Sequence, residues 1–184
     1  VIDPLDGTTN FLHGIPHFAI SIALVRDKEP FAGVVYEPIG DRMFWAEKGQ
    51  GAHLNNGRIR VSARKDMAES VFATGIPFLG ERDHPRFLRE LEAVMAVSAG
   101  VRRFGSAALD LAYVAAGRFD GFWETGLKPW DIAAGIVIVR EAGGYVSEIG
   151  GGEGMLESGE ILCANDLLHK PLGSLLVKAN KTTD

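Results

Sequence analysis

The stretch "SAALDLAYVAAGRFDGFWE" (Ser106–Glu124) reads as a helix stopped at Gly117, followed by a strand that closes on Glu124. The same alternation runs on either side of it. Upstream, "HPRFLRELEAVMAVSAG" has Pro85 near its start, Leu88, Leu91, Val94 and Met95 at helical spacing and Gly100 at its end. A short strand "VRRF" follows. Downstream, "DIAAGIVIVREAGG" predicts a helix stopped at Gly143, then strands near "GYVSEI" and "EILCAN" and a final helix from about Asp166. Alternating strand and helix imply a sheet with helices packed on its faces. "GEILCAN" is the clearest buried-strand run.

The first third of the chain has a different texture. "FAISIALVRD", "FAGVVYEP", "RMFWAEKG" and "GRIRVS" are β-rich runs separated by the turn signals "DKEP", "PIGD" and "LNNG". Connections this short allow antiparallel pairing and no parallel crossover. Another strand is expected at "SVFATGI" (Ser70–Ile76). The expected architecture is a layered α/β (α+β) sandwich forming one domain over residues 1–184. Its mainly antiparallel lobe covers 1–76 and its α/β lobe 77–184.

Bulk composition narrows the function without assigning it. With 184 residues, 46% of them hydrophobic, the chain has enough material for one good core. A net charge of −5 is a poor match for DNA or RNA. Apolar runs such as Phe18–Val25 fall well short of the ~20 residues of a membrane span. The single cysteine, Cys163, has no partner for an internal disulfide, which fits a reducing cytoplasm.

The chemistry is concentrated in "VIDPLDGTTNF" (Val1–Phe11). Asp3 and Asp6 stand close together beside Pro4, which fixes φ, and Gly7, which permits conformations that a β-carbon penalises. Two carboxylates about 5 Å apart at an effective dielectric near 20 repel by roughly 3 kcal/mol. A hard divalent cation relieves that repulsion and prefers oxygen ligands, so Mg²⁺ is the natural occupant. The hydroxyls and free N–H groups of "GTTN", at the start of a short helix, suit an anion such as phosphate. The competing reading of the aspartates is a solvated turn. Far downstream, "KPWDIAAG" places Asp131 where a loop becomes a helix, with small residues behind it for close packing. Alone, Asp131 reads as a helix cap and Trp130 as core; Glu124 ends the preceding strand and can face the same cleft. His13 and His17 read as structural.

Taken together, "DPLDGTTNF", "GSAALDLAYVAAGRFDGFWE", "WDIAAG" and "REAGG" resemble the inositol monophosphatase family of Mg²⁺-dependent, lithium-sensitive phosphatases, and "ATGIPF" (Ala73–Phe78) is similar to a segment of its bacterial branch. The resemblance implies that Asp3, Asp6 and Asp131 ligate metal with the carbonyl of Leu5. It implies that Gly7 and Thr8 hold the phosphate, the Thr8 hydroxyl orients the attacking water, and Gly105, Ser106, Ala107 and Glu124 line the pocket for the alcohol. Arg102 and Arg103 precede that pocket and read equally as surface ion pairs. The family pattern also has two helices and a Gly-Glu-Glu stretch upstream. This chain starts at Val1, inside what reads as a strand, so the N-terminal part of the fold is expected to be missing from it.

The implied reaction is hydrolysis of a small phosphate monoester, inositol 1-phosphate first of all, by direct in-line attack of metal-activated water without a phosphoenzyme. The alternatives are histidinol-phosphate, sugar or nucleotide phosphatases on the same fold, or a regulatory binding protein with partners in the transcription machinery. A cytoplasmic homodimer acting on a phosphorylated polyol, without nucleic acid or membrane, completes the expectation.

Overall fold

The computed structural model describes residues 1–77 and 83–181; Phe78, the last residue of "ATGIPF", lies outside them. The chain opens with β1 (Ile2–Asp6) and a five-residue helix α1 (Thr8–Leu12). It continues through β2 (Ala19–Arg26), β3 (Glu29–Glu37), β4 (Arg42–Glu47), β5 (Gly51–Leu54) and β6 (Gly57–Ile59). These strands form one six-stranded sheet in sequence order, and every pairing is antiparallel. The "DKEP" signal marks the β2–β3 hairpin. Its two central residues, Asp27 and Lys28, have φ of 51° and 66°, the left-handed pair that matches the twist of the flanking strands.

A single 3₁₀ turn (Met67–Glu69) leads to β7 (Val71–Thr74), α2 (His84–Met95), β8 (Gly100–Arg102), α3 (Ala107–Ala115) and β9 (Gly121–Glu124). Then come α4 (Pro129–Glu141), β10 (Tyr145–Ser147), α5 (Met155–Ser158), β11 (Ile161–Ala164) and α6 (His169–Lys181). The second sheet has the order β10-β11-β9-β7-β8, with β7 parallel to both β8 and β9 and the other pairings antiparallel. Helices α3 and α4 pack on each other and lie between the sheets. Helix α4 sits on β2, β3 and β4, while α3 meets β9, β11 and β7. Helices α2 and α6 pair on the outer side of the second sheet. Side chains alternate accordingly: Phe122, Ile161 and Cys163 join the α3/α4 core, whereas Trp123 and Leu162 join the α2/α6 core. The layers are sheet, helix pair, sheet, helix pair, which is the layered α+β sandwich expected from the alternation.

The small residues of "DIAAG" allow α4 to sit very close to the first sheet. A β-carbon added at Gly33 in β3 would fall 2.7 Å from Ala134 Cα; against α3, one at Gly135 would fall 2.5 Å from a Leu111 methyl. This close seating fixes the start of α4, and Asp131 with it, over the end of β1. Among the described residues no helix is long and apolar enough to cross a membrane.

Candidate metal and phosphate site

In a regular strand, residues three apart point to opposite faces. Asp3 and Asp6 escape this because β1 is bulged between them: Asp3 pairs with Ser21 and Asp6 with Ala19, so three steps on β1 oppose two on β2. Among the described residues β1 is an edge strand, which tolerates Pro4 and its missing N–H. At the end of the strand Gly7 takes φ 83° and starts α1, where a β-carbon would lie 3.0 Å from the His17 carbonyl. The first turn of α1 leaves the N–H groups of Thr8, Thr9 and Asn10 without intrahelical acceptors. The Thr8 hydroxyl donates to the Leu5 carbonyl at 2.8 Å, and the Leu5 N–H donates to Asp3 Oδ1 at 3.0 Å.

Asp131 arrives from the other side of the molecule. It is the third residue of α4, and its Oδ2 accepts the N–H of Lys128, the residue before the helix, at 2.7 Å. The capping role and the cluster role therefore coexist. One carboxylate oxygen each from Asp3, Asp6 and Asp131 lies within 4.8 Å of the others. Asp6 is 8% exposed and is held by the Ser106 hydroxyl and by the Ala108 N–H at 2.9 Å. Ser106 is itself the cap of α3, so this one hydroxyl ties the acid to the helix start.

Burial pushes the Asp6 carboxyl up to about 6, reinforced by Asp131 and Asp3 and opposed by the bonds from Ser106 and Ala108. Glu124 rises to about 8 because burial desolvates it and Asp6 repels its charge, with Arg103 pulling the other way. Asp131 is raised by burial and by its neighbour Asp3, against the Lys128 N–H. Asp110, fully buried behind Glu124 and Asp6, is raised well above the carboxylate range. Crowded oxygen donors that resist ionising together fit a hard divalent cation, and Mg²⁺ matches their chemistry.

These elevated values predict a pH dependence. Without metal, Asp6 and Glu124 keep protons in the fold that the unfolded chain gives up near 3.8 and 4.5. The fold therefore binds more protons than the unfolded chain across this window, and its stability falls as pH rises from about 4 to about 8. Melting curves in chelator should show a lower midpoint at pH 8 than at pH 5, and a divalent cation should restore most of the difference at pH 8.

The cleft around the cluster has a volume of about 300 Å³ and is lined by all ten expected site residues: Asp3, Leu5, Asp6, Gly7, Thr8, Gly105, Ser106, Ala107, Glu124 and Asp131. Asn10, Gly75 and Trp130 also line the cleft. Asn10 donates to the carbonyls of His17 (2.8 Å) and Phe104 (2.7 Å), tying α1 to the approach to α3. Gly75 leaves the space that Glu124 fills, since a β-carbon there would lie 1.8 Å from Glu124 Oε1. Trp130 stands 46% exposed at the cleft wall, so the reading of it as core is corrected: α4 begins at Pro129 and its first turn overhangs the cleft instead of entering the layer below. His13 and His17 are not part of the acid cluster. Cys163 is fully buried in β11, where burial pushes its thiol far above the ordinary range.

Comparison with known proteins places this geometry. The model of the inositol monophosphatase family matches residues 1–181. The chain is 55% identical over 172 residues to an inositol-1-monophosphatase of Mesorhizobium japonicum, covering 94% of this chain and 65% of that protein. It is 51% identical over 172 residues to a Nus factor SuhB of Pasteurella multocida, covering 94% and 64%. The crystal structure of extragenic suppressor protein suhB from Bartonella henselae superposes with a TM-score of 0.93 at 54% identity, over 96% of this chain and 68% of that one. The chain thus spans about two thirds of the length of the curated relatives it matches. On the family match, the shared fold and this level of identity, the chain belongs to the inositol monophosphatase family.

Proposed function

We propose that this chain carries the metal and phosphate site of a Mg²⁺-dependent phosphomonoesterase that releases phosphate from inositol 1-phosphate. The observation that supports it most is the meeting of Asp3, Asp6 and Asp131, drawn from β1 and α4, within 4.8 Å. Those three carboxylates and the Leu5 carbonyl are the groups that would hold the cation. When bound, a divalent cation offsets the charge of the phosphate and makes water a stronger nucleophile near neutral pH.

The chain's own groups supply the rest. The N–H groups of Gly7 and Thr8, at the start of α1, donate to phosphate oxygens. The Thr8 hydroxyl has spent its proton on Leu5, so its oxygen is free to accept a hydrogen bond from the attacking water and orient it. Ser106 keeps Asp6 in place. Gly105, Ala107 and Glu124 form the end of the cleft that receives the alcohol. A cation that neutralises Asp6 and Asp131 removes two charges that raise Glu124, favouring its ionised, hydrogen-bond-accepting form. That acceptor favours hydroxyls and disfavours a second phosphate. The test is phosphate release from inositol 1-phosphate and from fructose 1,6-bisphosphate by the intact native protein, with Mg²⁺ and with chelator. Preference for the bisphosphate, or release that chelator leaves unchanged, would contradict the proposal.

A second role through partners in the transcription machinery is motivated by relatives at 48–51% identity that are named Nus factor SuhB. The proposal also includes a single domain, read from chain length and the layered alternation, a cytoplasmic location, which the single Cys163 fits, and a homodimer, carried from the family resemblance.

A further inference from the structure

Arg103 is the one cation among the described residues that line the cleft, which it shares with four carboxylates. Among the described residues it forms no hydrogen bond and no ion pair, so the reading of it as half of a surface salt bridge finds no partner. Its neighbour Arg102 does not line the cleft and turns back to the Val101 carbonyl at 3.1 Å. The backbone makes room for Arg103 specifically. Gly105 has φ 81°, and a β-carbon on it would lie 3.0 Å from Arg103 Nη1, so the guanidinium rests across bare backbone at the entrance to α3. From there it acts electrostatically on Glu124 and on the buried Asp110, opposing the rise that burial imposes on both.

A guanidinium without a partner among the described residues and a carboxylate lining the same cleft form a donor and acceptor pair. Guanidinium only donates, and an ionised carboxylate only accepts. A vicinal diol matches both: one hydroxyl donates to Glu124 while the adjacent hydroxyl oxygen accepts from Arg103. An alkyl or aryl phosphate offers neither and leaves the two charged groups unsatisfied, which is how a polar site rejects the wrong ligand. We propose that Arg103 is a specificity-determining residue, contacting the non-transferred part of the substrate and, with Glu124, selecting phosphate esters that carry adjacent free hydroxyls. This rests on the phosphomonoesterase reading above.

The experiment compares kcat/KM for inositol 1-phosphate with kcat/KM for phenyl phosphate in the intact native protein with Mg²⁺, in the wild type and in Arg103→Met, Arg103→Lys and Arg102→Met. Loss of a charged hydrogen bond predicts that Arg103→Met lowers the preference for inositol 1-phosphate by about tenfold or more, chiefly through KM. Arg103→Lys should recover part of it, because a cation remains without the fork geometry, and Arg102→Met should keep the wild-type preference. A preference unchanged in Arg103→Met, or lowered equally by Arg102→Met, overturns the assignment while leaving the phosphatase reading standing. A wild type inactive on both substrates overturns that reading and this one together.

Discussion

Asp131→Asn is expected to lower Mg²⁺-dependent phosphate release from inositol 1-phosphate by at least about a hundredfold, while the protein stays folded. The substitution separates the two jobs of this residue. An asparagine carbonyl can still accept the Lys128 N–H that Asp131 Oδ2 now holds at 2.7 Å, so the start of α4 keeps its cap. What disappears is one negative charge from a cluster whose members otherwise raise one another. Metal-free stability should therefore hold or increase, whereas the cation loses a ligand. Activity assays paired with melting curves in chelator check both halves, and near-normal release would remove Asp131 from the site.

Gly33→Val is expected to be the most damaging single change to the fold. The new β-carbon would meet the Cα and the carbonyl oxygen of Ala134 at 2.7 Å each, and Val137 Cγ1 at 2.8 Å. Two of those atoms are backbone in the interior of a helix, so a rotamer change cannot clear them. Either α4 lifts from β3 or the sheet bends. Overpacking of this kind costs about 3 kcal/mol or more, which for a chain of this size lowers the melting midpoint by about 6–12 °C. Because α4 carries Asp131, the same variant should also lose much of the thermal stabilisation that Mg²⁺ confers. Denaturation with and without Mg²⁺ measures both effects; a midpoint within about 2 °C of wild type would mean that β3 and α4 are not in close contact at Gly33.

Local signals in the sequence carried much of this. The turn pairs delimit the antiparallel meander, and Gly117 and Gly143 stop α3 and α4 as expected, whereas α2 ends at Met95, well before Gly100, which starts β8. The small residues after Asp131 announce a helix that must approach a neighbour closely, which Gly33 and Gly135 confirm. The ten expected cleft residues share one cleft because their motifs end elements at the same edge of the fold. What escaped the sequence depends on distant partners. The parallel placement of β7 between β8 and β9 is set by the packing of α2 and α3, since parallel strands need long crossovers and no local signal names the partner. The bond from Ser106 to Asp6 joins residues 100 apart, and no spacing rule reaches that far. Gly75 reads as part of the strand "SVFATGI" until Glu124 is seen to occupy the space of its missing side chain. Trp130 reads as core because its size suggests burial, and only the position of the first turn of α4 shows that it overhangs the cleft.

All of the proposed chemistry depends on Asp3, Asp6 and Asp131 converging to hold a divalent cation. The most direct measurement is anomalous diffraction from crystals of the intact native protein soaked in Mn²⁺, which scatters anomalously and shares the oxygen preference of Mg²⁺. A strong anomalous peak is expected in contact with oxygens of all three carboxylates. A peak elsewhere on the surface, or none between these side chains at saturating Mn²⁺, would contradict it.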